Sequence, residues 1–218
     1  MCFSTEASFI GGAVIVAIGV ATIRKVHKPS QLDFASIPLF FGLQQIAEGF
    51  VWLGLQNPKY EAFLMPATYI FLIMAEVFWP FVTPLGIMLM EKNKKRLKVL
   101  WVLLGMGISV SLYFIFCIST YSIVPEIKEY HIKYVEGYPK SIQLIVFGFY
   151  LIASLTPLFI STIKRIYLMG ILMAVSCLVT MIFYTQFLTS VWCFFGALIS
   201  MVILWILRDA RRKYIVGR

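Results

Sequence analysis

Two acidic residues, Glu48 and Glu76, lie inside apolar stretches of this 218-residue chain that are long enough to cross a membrane. A charged side chain at the centre of a bilayer costs about 2.5 kcal/mol or more. Each carboxyl group therefore needs a partner, a proton or polar surroundings. A carboxyl group in such a place can serve as a general base, exchange a proton or bind a cation. Glu48 and Glu76 are therefore the candidate catalytic residues.

Polar and aromatic residues accompany Glu48 at helical spacing. Gln44 and Trp52 lie four residues before and after it and share its helix face, with Gln45 beside them. The candidate pocket-lining residues are Gln44, Gln45, Trp52, Trp79 and Trp192. Two interpretations stay open. The acids either hold helices together by hydrogen bonds, or they line a polar cavity that binds a cation, a proton or a substrate group.

A set of possible metal ligands adds to this pattern. Thiolate, imidazole and carboxylate groups suit zinc, and Cys2, Glu48, His131 and Cys193 are predicted below to lie toward one side of the membrane. Zinc is the cofactor that this set would hold. The chain has no Cys-x-x-Cys or His-x-x-x-His spacing to support it. A disulfide that uses two of Cys2, Cys117 and Cys193 is the alternative for those cysteines.

The composition identifies the elements that must position these residues. Hydrophobic residues make up 61% of the chain and charged residues 13%, against about half and about a quarter in soluble domains. So few charges cannot cover a soluble globule, and a disordered chain would be much less hydrophobic. The sequence therefore predicts an integral membrane protein.

Seven stretches are apolar over about the 20 residues that a membrane-crossing helix needs. We predict an all-α bundle of about seven transmembrane helices that forms one domain over residues 1–218. The predicted spans are about 7–23, 36–56, 62–90, 97–119, 141–162, 166–185 and 187–207.

The basic residues predict the orientation, because cytoplasmic loops carry an excess of Lys and Arg. Four of them fall on one side: Lys59, Lys128, Lys133 and Lys140. The other fifteen fall on the opposite side: Arg24, Lys25, Lys28, Lys92, Lys94, Lys95, Arg96, Lys98, Lys164, Arg165, Arg208, Arg211, Arg212, Lys213 and Arg218. We therefore predict an outside N-terminus and a cytoplasmic C-terminus in the plasma (inner) membrane. Glu48 would then lie about 12 Å below the outer surface.

The net charge of +9 has the same explanation. Basic residues gather where anionic lipid headgroups attract them. A nucleic-acid-binding protein would interleave them with aromatic residues that stack on bases, whereas the aromatic residues here lie inside the spans. We expect the partners to be the lipid bilayer and a small molecule or ion, and not nucleic acid.

Two further patterns concern helix packing. Ala13, Ala17 and Ala21 recur every four residues in the first span, which predicts a close-packed helix face. Pro80 and Pro84 lie inside the third span and predict a kink there, because proline lacks an amide hydrogen.

Several sequence patches resemble a known type of protein. They are Met1-Cys2-Phe3-Ser4, Gln44-Gln45-x-x-Glu48-Gly49-x-x-Trp52, Phe78-Trp79-Pro80 and Val191-Trp192-Cys193-Phe194-Phe195. Together they resemble an uncharacterised family of small prokaryotic polytopic membrane proteins that begin Met-Cys-Phe-Ser. The resemblance implies a prokaryotic membrane protein and no particular reaction.

Three functions are compatible with the sequence. The first is a pocket open to the outer side, catalytic or only binding, in which Glu48 is the ligand or general base. The second is a transporter for protons, cations or small solutes that uses Glu48 and Glu76. The third is an accessory structural subunit. The concentration of polar residues in the outer half favours the pocket.

Overall fold

The computed structural model describes residues 4–163, 165–183, 187, 189–190 and 195–216. A continuous helix over 61–90 consists of two α-helices joined by a π-helical segment, Ile73–Phe78, so that the described residues form seven helices. The bounds are α1 Thr5–Ile23, α2 Leu32–Gln56, α3 Glu61–Leu72, α4 Trp79–Met90, α5 Lys94–Thr120, α6 Lys140–Ile160, α7 Ile166–Phe183 and α8 Gly196–Val216. The predicted helical bundle is confirmed, and its orientation in the membrane stays a prediction.

Six of these helices are long and apolar enough to cross a membrane. Helix α8 is not among them, because Arg208, Asp209, Arg211, Arg212 and Lys213 fall in its second half. The predicted seventh span, 187–207, begins among residues that the structure describes only in part.

Helices α1 and α2 pack through glycine and not through the predicted alanine stripe. A methyl group at Gly12 would lie 3.0 Å from the carbonyl oxygen of Gly42, and one at Gly19 would lie 2.5 Å from the amide nitrogen of Leu39. Ala13 and Ala17 are exposed. The prediction of an alanine packing face was wrong, because the two backbones approach too closely to leave room for Cβ atoms.

The third span contains a π-helical segment directly before Trp79 and Pro80, and the predicted kink stays a prediction. In a π-helix the carbonyl of residue i pairs with the amide of residue i+5, and Pro80 has no amide hydrogen for the carbonyl of Ala75. The hydroxyl of Tyr150 donates to that carbonyl at 2.7 Å. The hydroxyl of Ser111 donates to the carbonyl of Val77 at 2.6 Å. Side chains from α5 and α6 therefore satisfy backbone groups around the π segment.

The region 120–140, which lies between the fourth and fifth predicted spans, contains a β-hairpin. Strands β1 (Ile123–Lys128) and β2 (His131–Glu136) pair antiparallel, with Ile123 opposite Glu136 and Lys128 opposite His131. Ile132 is fully buried against side chains of α2 and α3. The hairpin therefore packs on the end of the bundle.

At the opposite end, Glu91 connects the α4–α5 loop to the α6–α7 loop. Its carboxylate accepts hydrogen bonds from the backbone of Lys92 and Asn93 and from both the amide and the hydroxyl of Thr162, at 2.7–2.9 Å. Burial alone raises the pKa of Glu91, but these hydrogen bonds outweigh it and hold the pKa below its usual value. Glu91 therefore remains a charged acceptor that joins the two loops.

Candidate functional site

A pair of carboxyl groups forms the centre of the site. Glu76 lies in the π segment and is 8% exposed, and Glu136 is the last residue of β2. Their carboxyl groups are close enough to interact with each other, and the hydroxyl of Tyr138 donates to Glu76 Oε2 at 3.2 Å. Carboxylates only accept hydrogen bonds, so two adjacent carboxyl groups attract each other only when one of them carries a proton. We call Glu76 and Glu136 the carboxyl pair.

The surroundings of Glu136 place its ionisation near neutral pH. Burial raises the pKa of Glu136 to about 7, although its interaction with Glu76 partly opposes the rise. Burial and the two neighbouring carboxyl groups also raise the pKa of Tyr138. Tyr138 therefore keeps its proton and remains a hydrogen-bond donor to the pair.

A cavity of about 400 Å³ adjoins the carboxyl pair. Among the described residues, its polar lining consists of Glu76, Glu136, Lys140, Gln143 and Thr189. Lys140 and Gln143 belong to the first turn of α6 and are exposed. The positive side chain therefore lies at the rim of the cavity, and the more buried Glu76 lies in its wall.

Aromatic rings form much of the remaining lining. They belong to Phe41, Trp79, Phe114, Phe147 and Tyr150, which we call the aromatic wall. The rings of Phe41 and Trp79 are stacked with their centroids 4.1 Å apart. The three other rings come from α5 and α6.

The polar hydrogens of the aromatic wall are donated to other groups of the protein. The indole nitrogen of Trp79 donates to Gln44 Oε1 at 3.0 Å. The hydroxyl of Tyr150 donates to the backbone of Ala75. Both side chains therefore offer ring carbons to the cavity, and Gln44 contributes indirectly by orienting Trp79.

Glu48 lies in a second polar cluster. It is fully buried and accepts hydrogen bonds from Gln45 Nε2, at 3.2 Å, and from the hydroxyl of Ser190. The bond to Ser190 joins residues 142 positions apart in the sequence. These contacts fit the interpretation in which a buried acid holds helices together. The hydrogen bond between Gln44 and Trp79 connects α2 to the lining of the cavity.

Trp52 packs against the hairpin that contains His131. Trp52 is 2% exposed and packs with Ile132, the neighbour of His131. His131 is buried, and its ring centroid lies 4.7 Å from that of Phe187. The structure therefore brings two of the predicted site residues to one end of the bundle, next to the fold element that carries Glu136.

The predicted zinc set is only partly covered by the structure. Cys2, Trp192 and Cys193 lie outside the described residues. Among the described residues, no group of three His, Cys, Asp or Glu side chains could hold a metal ion. The set of Cys2, Glu48, His131 and Cys193 therefore stays a prediction. Cys117 is a free buried thiol, so the predicted disulfide does not use it.

Sequence reasoning did not assign Glu136, Tyr138, Lys140 or Gln143 to the site. The alternating β-branched and charged residues of 123–136 could have indicated a hairpin, because strands alternate in this way. That pattern does not reveal which buried residue Glu136 meets. The contact with Glu76 depends on how the hairpin packs on the bundle.

The fold and the site define a multi-pass helical membrane protein with a cavity next to a carboxyl pair. Residues 1–216 match the model of a family described as "Family of unknown function (DUF6629)", and the chain belongs to that family. Neither a curated protein nor a solved structure matches it. The predicted membership of an uncharacterised family is confirmed, and a prokaryotic origin stays a prediction.

Proposed function

We propose that this protein binds a small molecule in its membrane-embedded cavity and that the carboxyl pair exchanges a proton when the ligand enters or leaves. The observation that carries the proposal is that Glu76 and Glu136 are neighbours in the wall of one cavity. Two adjacent carboxyl groups resist simultaneous ionisation, because the second negative charge is repelled by the first. A ligand that stabilises or opposes that charge therefore changes the number of protons bound.

Proton exchange at this site fits neutral pH. The pKa of Glu136 is about 7, so the occupancy of the proton changes within the range that a membrane protein meets. The pair titrates as a unit, because the charge of one carboxyl group acts on its neighbour. The groups that face Glu76 are Glu136, Tyr138, Tyr113 and Cys117, and Lys140 lines the same cavity.

The predicted orientation gives the cavity access to the outer side. Lys140 and two lysines of the hairpin, Lys128 and Lys133, are among the four basic residues that the charge distribution assigns to that side. The proposal therefore retains the outward-facing pocket predicted from the sequence. It moves the chemistry from Glu48 to Glu76 and the hairpin residue Glu136.

A second candidate function is transport. Glu76 lies in a π segment within a membrane span, and acids inside membrane spans mark proton relays in many transporters. In that case the same carboxyl pair would couple proton movement to passage of the ligand. Uptake of the ligand by proteoliposomes in response to a pH gradient would separate a transporter from a binding protein.

Infrared difference spectroscopy tests the proton exchange directly. The protonated carboxyl band of the purified full chain is compared between about pH 5 and about pH 9. We expect the pair to lose a proton near pH 7, and we expect Glu136→Gln to remove that transition and Glu76→Gln to shift it, because burial alone still raises the pKa of Glu136. Glu61→Gln, an exposed acid at the start of α3, is the matched control and should keep it.

The outcome is decisive in both directions once folding is checked by size-exclusion chromatography. Loss of the transition in Glu136→Gln together with a shift in Glu76→Gln supports the proposal. An unchanged transition in either folded variant contradicts it, because the titrating group or its neighbour would then lie elsewhere.

A further inference from the structure

The aromatic wall offers one kind of surface to a ligand. Its five rings belong to four helices, and the polar hydrogens of Trp79 and Tyr150 are donated to Gln44 and Ala75. The ring faces carry partial negative charge and attract cations. Met173 and Met181 add polarisable sulfur atoms to the lining. These walls suit an apolar body that carries a positive charge.

The polar residues of the lining also favour a ligand that carries a positive charge. The carboxyl pair places at least one acidic group in the wall, so an anionic ligand would be repelled there. An inorganic cation would need several oxygen ligands around it, and carbon and sulfur atoms dominate this lining. A neutral apolar molecule would fill the space without a partner for the carboxyl pair. An organic cation complements both surfaces.

Resting on the proposed function, we propose that the ligand is a small organic cation whose positive group lies next to Glu76 and Glu136 and whose apolar body contacts the aromatic wall. The protonated pair releases its shared proton as the cation binds, so that one positive charge replaces another. The volume of about 400 Å³ lies in the range of sites for small molecules.

Lys140 places a positive charge at the rim of the cavity. The cation and the lysine ammonium repel each other, whereas Glu76 is buried more deeply. The ligand should therefore place its charge toward the carboxyl pair and away from the first turn of α6. Lys140→Gln is expected to increase the affinity for a cation and to leave a neutral ligand unaffected.

Two molecules of nearly identical shape that carry no other ionisable group test the assignment: 3-(hydroxymethyl)phenyltrimethylammonium and its uncharged isostere 3-tert-butylbenzyl alcohol. Isothermal titration calorimetry of the full chain in nonionic detergent compares them at about pH 6 and about pH 8. We expect the cation to bind at least about tenfold more tightly than the isostere at the higher pH. Its affinity should fall about tenfold at the lower pH, because protons then compete for the carboxyl pair.

Variants locate the binding. Glu76→Gln and Glu136→Gln should each lower the affinity for the cation at least about tenfold and leave the isostere unchanged, since only the charged ligand depends on the pair. Glu61→Gln controls for loss of a negative charge elsewhere. Met173→Trp, which fills the cavity, should abolish binding of both molecules.

The two proposals fail in different ways. Equal affinity of the wild type for the two molecules, or no binding of the cation at millimolar concentration, would overturn the organic-cation assignment. The infrared transition of the carboxyl pair decides the proposed function by itself. A chain that titrates near pH 7 and ignores the cation therefore contradicts only the ligand class.

Discussion

At the scale of single residues, the carboxyl pair combines an acid from a membrane span with an acid from a hairpin. Glu76 is held by the hydroxyl of Tyr138 as well as by Glu136. The phenol keeps its proton, because burial and the adjacent carboxyl groups raise its pKa. The pair thus has the hydroxyl of Tyr138 as a fixed hydrogen-bond donor and the cavity as a neighbour. This arrangement favours transfer of a proton between Glu136 and a ligand or water in the cavity.

The raised pKa of Glu136 predicts a pH dependence of stability. Below about pH 4.5 this carboxyl group is protonated in both the native and the unfolded state, and it makes its full contribution to the free energy of unfolding. As the pH rises through about 7, the unfolded chain binds fewer protons than the native protein, so the free energy of unfolding falls. We expect a melting temperature several degrees lower at pH 8 than at pH 5, since 1 kcal/mol corresponds to about 2–4 °C at this chain length.

Glu136→Gln tests this dependence, because its side chain does not ionise. Thermal unfolding in detergent, followed by tryptophan fluorescence, should show a smaller decrease between the two pH values than in the wild type. Glu61→Gln should keep the wild-type decrease. If Glu136→Gln keeps it too, the titration of Glu136 does not control the stability.

At the scale of elements, the π segment determines the position of Glu76. Pro80 removes a backbone donor, and Tyr150 and Ser111 supply hydroxyl donors from two neighbouring helices. Gly107 allows α5 to approach, since a methyl group there would lie 1.9 Å from the carbonyl oxygen of Pro80. The irregular helix is therefore stabilised by its neighbours, and the same contacts hold the aromatic ring of Tyr150 at the cavity.

Tyr150→Phe measures how much the hydroxyl of Tyr150 stabilises the π segment. The substitution keeps the ring and removes the donor to the carbonyl of Ala75, and a buried carbonyl without a partner costs about 1–3 kcal/mol. We expect a correspondingly lower free energy of unfolding from denaturant titration in detergent. Tyr130→Phe, in the turn of the hairpin and 76% exposed, is the control and should change little. Equal stability of the two variants would show that Tyr150 does not support the π segment.

At the scale of the whole molecule, the two ends of the bundle differ in construction. One end carries the hairpin, the carboxyl pair and the rim of the cavity. The other is held together by backbone and side-chain hydrogen bonds to Glu91 and by a bond of 2.6 Å from Arg96 to the carbonyl of Ile160. A ligand would enter at the end with the hairpin, because the rim of the cavity lies there. The charge distribution predicts that this end faces outward.

Cysteine labelling on intact cells tests this orientation. In a chain whose four natural cysteines are replaced, a membrane-impermeant maleimide should label Tyr130→Cys at the hairpin. It should label Lys94→Cys, at the start of α5, only after the membrane is opened. The opposite pattern would reverse the predicted topology and place the cavity on the cytoplasmic side.

Much of the fold was accessible from the sequence. A run of apolar residues reveals a membrane span because hydropathy and length are properties of one segment. For the same reason Glu76 could be selected as a buried acid. The alanine face of α1 was wrong, since a stripe of small residues does not reveal that the closest backbone approach occurs at glycines.

The sequence by itself determined that this is a helical membrane protein of about seven helices and that Glu48 and Glu76 need partners. Only the tertiary structure decided that Ser190 contacts Glu48 and that Glu136 and Tyr138 contact Glu76. Tyr138 is 62 residues from Glu76 in the chain. Such contacts depend on how a hairpin and several helices pack together, and no local property of either segment encodes their pairing.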